Sequence, residues 1–105
     1  MIMVKVQPGI CGLPTEIHGD SEDGQNVTLS FVSSCPAIEA MGESLKTVDG
    51  YAASFAKFSE SPIYQAAEKN FKHAACPVPM AVVKTVEAVC GLALPKDVEV
   101  SIERV

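Results

Sequence analysis

The sequence lacks tryptophan, has only two histidines, and is poor in aromatic residues, which make up 6% of the chain. It also lacks an excess of positive charge, because eight lysines and arginines stand against 13 acidic residues and give a net charge of −5. Such a chain has no basic field to attract phosphate backbones or anionic headgroups. We therefore expect no nucleic-acid partner, while a protein partner and the oligomeric state stay open.

Long apolar runs and secretory patterns are missing as well. Nowhere do 18 apolar residues follow one another, and residues 1–7 alternate in polarity instead of forming an apolar signal core. These features predict a cytoplasmic protein that does not cross a membrane. The sequence shows no Ser–His–Asp order, P-loop, GxGxxG or HExxH pattern, so the familiar hydrolase and nucleotide enzymes are not favoured, and a non-enzymatic role is preferred.

What is present fits one small domain over residues 1–105. Hydrophobic residues make up 48% of the 105 positions, enough for a core of its own. Alternating apolar residues predict strands at 3–6, 15–19, 26–32 and 98–102. Three-and-four spacing, with a Pro near each start, predicts helices at about 35–48, 61–74 and 79–90. The order predicts an α+β fold: a mostly antiparallel sheet of three N-terminal strands and one C-terminal strand, covered on one face by about three helices.

The four cysteines are the feature that points towards chemistry. Cys35 and Cys76 each precede a proline at a predicted helix start, where unpaired N–H groups should lower the pKa of a thiol. Cys11 lies in a glycine-flanked turn with similar access to amides. Cys90 falls on the apolar stripe of the last helix, where a small buried side chain is the simpler interpretation of that residue alone.

Together, Cys11, Cys35, Cys76 and Cys90 could bind zinc or an iron–sulfur cluster, since both accept four thiolates. No CxxC pair is present, so such a site would have to be assembled by the tertiary structure. We expect a metal-binding or redox-accessory module. Two alternatives stay open: a reactive thiol, and a plain interaction domain whose acidic surface docks a partner while the cysteines are incidental. His73, near the end of a predicted helix, could be a metal ligand, a base that activates the thiol or, as the simplest interpretation, a cation that complements the helix C-terminus.

Two resemblances arise from these residues. The segments Gly9-Ile10-Cys11-Gly12, Cys35-Pro36, 73–79 (HAACPVP) and Cys90-Gly91 together resemble an uncharacterised family of small four-cysteine proteins associated with anaerobic prokaryotes. This resemblance covers the whole chain and implies no substrate. Separately, Cys76-Pro77-Val78-Pro79 before a helix is similar to the CPxP motif of the TusA/SirA sulfur-carrier family over about twenty residues, which implies that Cys76 would accept a persulfide sulfur.

Overall fold

The computed structural model describes all residues, 1–105, in eight elements. The strands are β1 (Ile2–Val6), β2 (Thr15–Asp20), β3 (Asn26–Ser33) and β4 (Thr47–Asp49), and the helices are α1 (Pro36–Ser44), α2 (Gly50–Ser54), α3 (Pro62–Asn70) and α4 (Val78–Val89). None of the helices combines the length and the apolar character that a membrane span needs.

The strands form one antiparallel sheet in the order β1-β2-β3-β4. Burial alternates along it, so that Ile17, Val27 and Leu29 are buried on one face while Glu16, Thr28 and Ser30 lie on the other. This period of two is what a sheet with one wet face requires. The predicted α+β fold with a four-stranded antiparallel sheet is confirmed.

The helices cover the buried face and enclose the core. Helix α4 packs on β1 and β2, and α1 packs on β3. The approach of α4 to the sheet is close: a Cβ added at Gly19 would lie 2.9 Å from methyl groups of both Thr85 and Val89. Glycine at position 19 therefore sets the distance between this helix and β2.

The middle of the chain differs from its prediction. The helix expected at 35–48 ends at Ser44, because residues 47–49 form β4, and a fourth helix, α2, begins at Gly50. The apolar spacing was ambiguous: Leu45 and Val48 are both buried, but Val48 is buried by pairing with Val27 on β3. The three-residue spacing of Leu45 and Val48 fits a helix, but both residues lie after the end of α1 at Ser44.

The predicted C-terminal strand at 98–102 is wrong. Residues 93–105 are exposed, and no backbone hydrogen bond joins them to the rest of the chain, so the fourth strand of the sheet is β4. Alternation gives a segment the pattern of a strand, but pairing needs a free edge within reach. We call residues 93–105 the tail.

The helix ends follow local sequence signals. Prolines stand near the N-termini of α1, α3 and α4, as predicted, and Cys35 is the N-cap residue of α1, although its side chain makes no capping bond. Gly91, with φ +70°, follows the C-cap of α4 and has the left-handed conformation expected there. Helix α3 ends at Asn70, four residues before its predicted limit at 74.

Candidate functional site

Three of the four cysteines belong to segments that meet at one end of the sheet. The register pairs Val6 with Thr15 and Thr15 with Ser33, so the loop from β1 to β2, which carries Cys11, and the residues after β3, which include Cys35, lie at the same end. Cys76 immediately precedes the start of α4, the helix that packs on β1 and β2. We call Cys11, Cys35 and Cys76 the thiol end.

The backbone of Cys35 is held by a short chain of hydroxyl groups. Thr15 Oγ1 donates to Ser33 Oγ over 2.9 Å, and Ser33 Oγ accepts from the backbone N–H of Cys35 at 3.2 Å. Thr15 is almost wholly buried, and its partner Ser33 ends β3. The position of Cys35 is thereby tied to the two central strands of the sheet. Sequence reasoning missed this contribution, because isolated hydroxyl residues in strands carry no local signal of a functional contact.

Cys76 stands before two prolines that shape its surroundings. Pro77 and Pro79 have no N–H, so Val78 supplies the single backbone donor among residues 77–79. That N–H interacts with the Cys76 sulfur and acts to lower its pKa. Val78 itself is fully buried, which fixes the start of α4 against the core.

The ionisation of Cys76 runs against the prediction for a helix start. Burial raises the pKa of the Cys76 thiol, the Val78 N–H opposes that rise, and negative charge on Cys35 and Cys11 adds to it. The expected lowering of the pKa is therefore wrong for Cys76. Burial of the sulfur is the largest cause of this rise, and the Val78 N–H is the one backbone donor that opposes it, because Pro77 and Pro79 have no N–H.

Cys11 occupies the most accessible position at the thiol end. Its loop turns through Gly9 and Gly12, whose φ values are +94° and +67°, and the Gly12 N–H donates to the Gly9 carbonyl over 3.0 Å. Both Ile10 and Cys11 are exposed. A glycine-hinged, exposed loop can change the position of its thiol at small cost in packing.

Cys90 lies at the opposite end of the domain. It follows α4, and its sulfur packs against Gly50, at the start of α2 and beside Gln25 and Val27. Burial raises the pKa of the Cys90 thiol, and the carboxylates of Asp23 and Asp49 raise it further. Cys90 therefore belongs to a second cluster, Asp23, Asp49 and Cys90, which we call the carboxylate end.

The carboxylates of this second cluster are held by the backbone. Asp23 accepts from the N–H groups of Gln25 and Asn26 at 2.9 and 2.8 Å, and these bonds hold its pKa far below the usual range. Asp49 accepts from the N–H groups of Tyr51 and Ala52 and caps α2, and its pKa is lowered as well. Each carboxylate thus has a structural role in a turn or a helix start.

The expected grouping of all four cysteines is corrected by this arrangement. Helix α4 separates Cys76 from Cys90, and its 12 residues, at about 1.5 Å per residue, span roughly 18 Å. One metal ion cannot bridge that distance, because zinc–sulfur bonds are about 2.3 Å long. The segments that carry Cys11, Cys35 and Cys76 lie at one end of the domain, and Cys90 lies at the other. In this conformation no three His, Cys, Asp or Glu side chains are arranged to hold a metal ion.

Two depressions elsewhere on the surface have a different character. One, of about 500 Å³, lies along the wet face near the turn at 20–26 and is lined mostly by polar residues. The other, of about 240 Å³, lies between α2, α3 and α4 and is edged by Phe58 and Tyr64, whose rings are 5.1 Å apart. Neither is lined by a cysteine, so the thiol end is the stronger candidate for chemistry.

Comparison with known proteins identifies the family of the chain but gives no activity for it. The profile of a family of unknown function, DUF6951, matches residues 2–102, nearly the whole chain. The chain belongs to the DUF6951 family. No curated protein and no solved structure matches this DUF6951 member. An uncharacterised family was expected from the sequence, and the thiol end is thus to be interpreted from its own chemistry.

Proposed function

We propose that this protein is a cytoplasmic metal-binding or redox-accessory module whose ligands are the thiolates of Cys11, Cys35 and Cys76, with zinc or an iron–sulfur cluster as the bound group. The observation that supports this most is the location of three cysteine-bearing segments, distant along the chain, at one end of the domain. Cys90, at the far end of α4, has no part in the site.

The chemistry of the three side chains suits a soft metal. Thiolates are preferred ligands of zinc and of iron–sulfur clusters. In the metal-free protein, burial opposes the ionisation of Cys76, and a negative charge on Cys35 or Cys11 would oppose it further. A bound cation would remove this repulsion, so metal binding and the loss of thiol protons would be coupled.

Binding requires a rearrangement of the Cys11 loop. Since no three ligands are in place in this conformation, the exposed Cys11 loop has to close towards Cys35 and Cys76. Gly9 and Gly12 give that loop the backbone freedom to do so. Three protein thiolates leave a fourth position open in a tetrahedral site, and the exposed His73, three residues before Cys76, is a candidate for it.

The experiment is metal and acid-labile sulfide analysis of protein purified without oxygen and without a metal-binding tag. We expect bound zinc, or iron with sulfide, in the wild type and in Cys90→Ser, and its loss in Cys11→Ser, Cys35→Ser and Cys76→Ser. Cys90→Ser is the matched control because it changes the same residue type outside the site. Metal that survives all three substitutions, or that depends on Cys90, would contradict the proposal.

Affinity should also depend on pH in a defined direction. Because the pKa of Cys76 is raised, its thiol holds a proton at neutral pH, and metal has to displace it. We expect zinc affinity to increase from pH 6 to about pH 8, as thiol protons become easier to remove. Competition with a chromophoric chelator would measure this, and pH-independent binding would contradict ligation by Cys76.

A second candidate function is sulfur transfer through Cys76. The Val78 N–H at the sulfur, with Cys35 and Cys11 nearby to resolve a persulfide, favours it. A donor persulfide, R–S–SH, would react with the Cys76 thiol to give R–SH and a Cys76 persulfide, with no net redox change. Mass spectrometry after incubation with such a donor distinguishes the two functions: sulfur transfer is lost only in Cys76→Ser, whereas metal binding is lost in all three variants of the thiol end.

A further inference from the structure

The tail is extended and uncovered, although its sequence has the pattern of a strand. Val98, Val100 and Ile102 alternate with Glu99, Ser101 and Glu103, yet Val100 and Ile102 are 79% and 92% exposed. An amphipathic strand alone in water buries nothing, so its apolar side requires a partner.

The sheet has one free edge of suitable length. Strand β1 pairs with β2 on one side only, so its other side presents unpaired backbone N–H and C=O groups. The opposite edge, β4, has only three residues and offers little to a partner. The apolar residues of β1, Ile2, Val4 and Val6, are only partly buried, and no strand pairs with β1 at this edge.

The tail and β1 complement each other in pattern and charge. Three alternating apolar residues of the tail can continue the core face beside the three of β1, in the period that both strands share. Lys5, on the opposite face of β1, would then stand beside the acidic Glu99 or Glu103. Opposite charges at neighbouring positions favour such a pairing, and like charges oppose it.

We propose that residues 98–103 of one copy pair with β1 of a second copy, and that the exchange is reciprocal and gives a closed dimer. A second copy is the occupant favoured here, because the tail is exposed along its whole length and makes no backbone hydrogen bond with its own chain. The family match extends to residue 102 and thus includes residues 98–102 of this segment in the domain. Two exchanged strands cover both β1 edges and both apolar tail faces, which closes the assembly.

The test compares molar masses of full-length variants by analytical ultracentrifugation under reducing conditions. We expect the wild type to be a dimer of 11.1 kDa chains. The double substitution Val100→Asp and Ile102→Asp should give a folded monomer, because it places charge on the apolar side of the tail. Ser101→Asp, on the polar side of the same segment, is the matched control and should remain a dimer.

A charge reversal tests the pairing partner. Lys5→Glu should weaken the dimer roughly tenfold, counting both symmetric contacts, and Glu99→Lys together with Glu103→Lys should restore it. A wild type that is monomeric, with tail amides protected from hydrogen exchange, would show that the tail covers its own β1 and would overturn the exchange. A dimer that survives the double substitution in the tail would overturn it as well. Metal content does not enter this readout, so the result is independent of the proposed thiol site.

Discussion

The two ends of this domain hold similar side chains under different constraints. At the carboxylate end, Asp23 and Asp49 are engaged by backbone N–H groups, and Cys90 is packed against Gly50. At the thiol end, Cys11 is exposed on a glycine-hinged loop, and Cys76 has a sulfur that ionises with difficulty. The side chains of the carboxylate end stabilise the fold, whereas the thiol end has side chains that could still bind a ligand. Cysteine as a residue type therefore says less about function than its neighbours do.

The largest expected effect comes from adding one methyl group at the carboxylate end. A Cβ at position 50 would collide with the Cys90 sulfur and lie 3.1 Å from the Gln25 carbonyl oxygen. We expect Gly50→Ala to lower the free energy of unfolding by about 1–3 kcal/mol, as overpacking does. Urea denaturation under reducing conditions measures it. The loss should shrink in a Cys90→Ala background, and an unchanged loss there would contradict the assigned contact.

The matched change at the thiol end is Gly12→Ala. An added Cβ there meets no atom within 4 Å, but φ is +67°, so the cost of about 1–2 kcal/mol is one of backbone conformation only. The Cys90→Ala background should leave this loss unaltered. Coupling between positions 12 and 90 would mean that the two ends are not independent.

Acid should destabilise the fold through the carboxylate end. The pKa values of Asp23 and Asp49 lie below the ordinary 3.8, so their contribution to stability is present above that pH and is lost as the pH falls towards the folded-state values. We expect the melting temperature to drop between about pH 5 and pH 2, and to drop less in Asp23→Asn. Glu22→Gln is the control, since Glu22 accepts no hydrogen bond. If both variants reduced the drop in melting temperature equally, the stabilising role of the Asp23 carboxylate would be contradicted.

Alkali should destabilise the fold through a half-buried cysteine at each end, Cys76 and Cys90. Burial raises the pKa values of Cys76 and Cys90 above the ordinary 9.0, so the folded state retains these protons longer than the unfolded state does. Their contribution to stability is therefore present below pH 9 and is lost as the pH rises through the raised values. Melting curves from pH 8 to about pH 11 should show a decline that Cys90→Ala reduces. A decline of the same size in both proteins would exclude Cys90 as its source.

The smallest expected effect is at Cys11. Because its side chain is exposed, Cys11→Ser should change the free energy of unfolding of the metal-free protein by less than about 0.5 kcal/mol. The same substitution is expected to abolish metal binding. Paired urea denaturation and metal analysis would separate the two roles, and a large loss of stability without metal would show that the loop supports the fold.

Sequence patterns predicted strands β1 to β3 better than they predicted the end of α1, strand β4 and the tail. Strands β1 to β3 lie within one residue of their predicted limits, because apolar alternation is read directly from neighbouring positions. The end of α1 was missed since Leu45 and Val48 keep a helical spacing while the chain changes to β4. The tail has a strand pattern, but no local signal states whether a partner edge is available.

The candidate site was predictable in part. The positions of Cys35 and Cys76 before Pro, at helix starts, were evident from the sequence, and the structure places both there. The predicted helix at 79–90 already implied that Cys76 and Cys90 lie a helix length apart, a consequence that the grouping of four cysteines overlooked. The convergence of Cys11 with Cys35 depends on the pairing of Val6, Thr15 and Ser33, which single-residue patterns do not contain.

The three segments of the thiol end are distant along the chain, and this has a consequence for synthesis. A ribosome delivers Cys11 and Cys35 well before Cys76, and Cys76 takes its place only when α4, up to Val89, packs on the sheet. A nascent chain therefore carries two early thiols without their third member. The order in which the half-buried Cys35 and Cys76 become shielded from an alkylating reagent would report how far folding has advanced on the growing polypeptide.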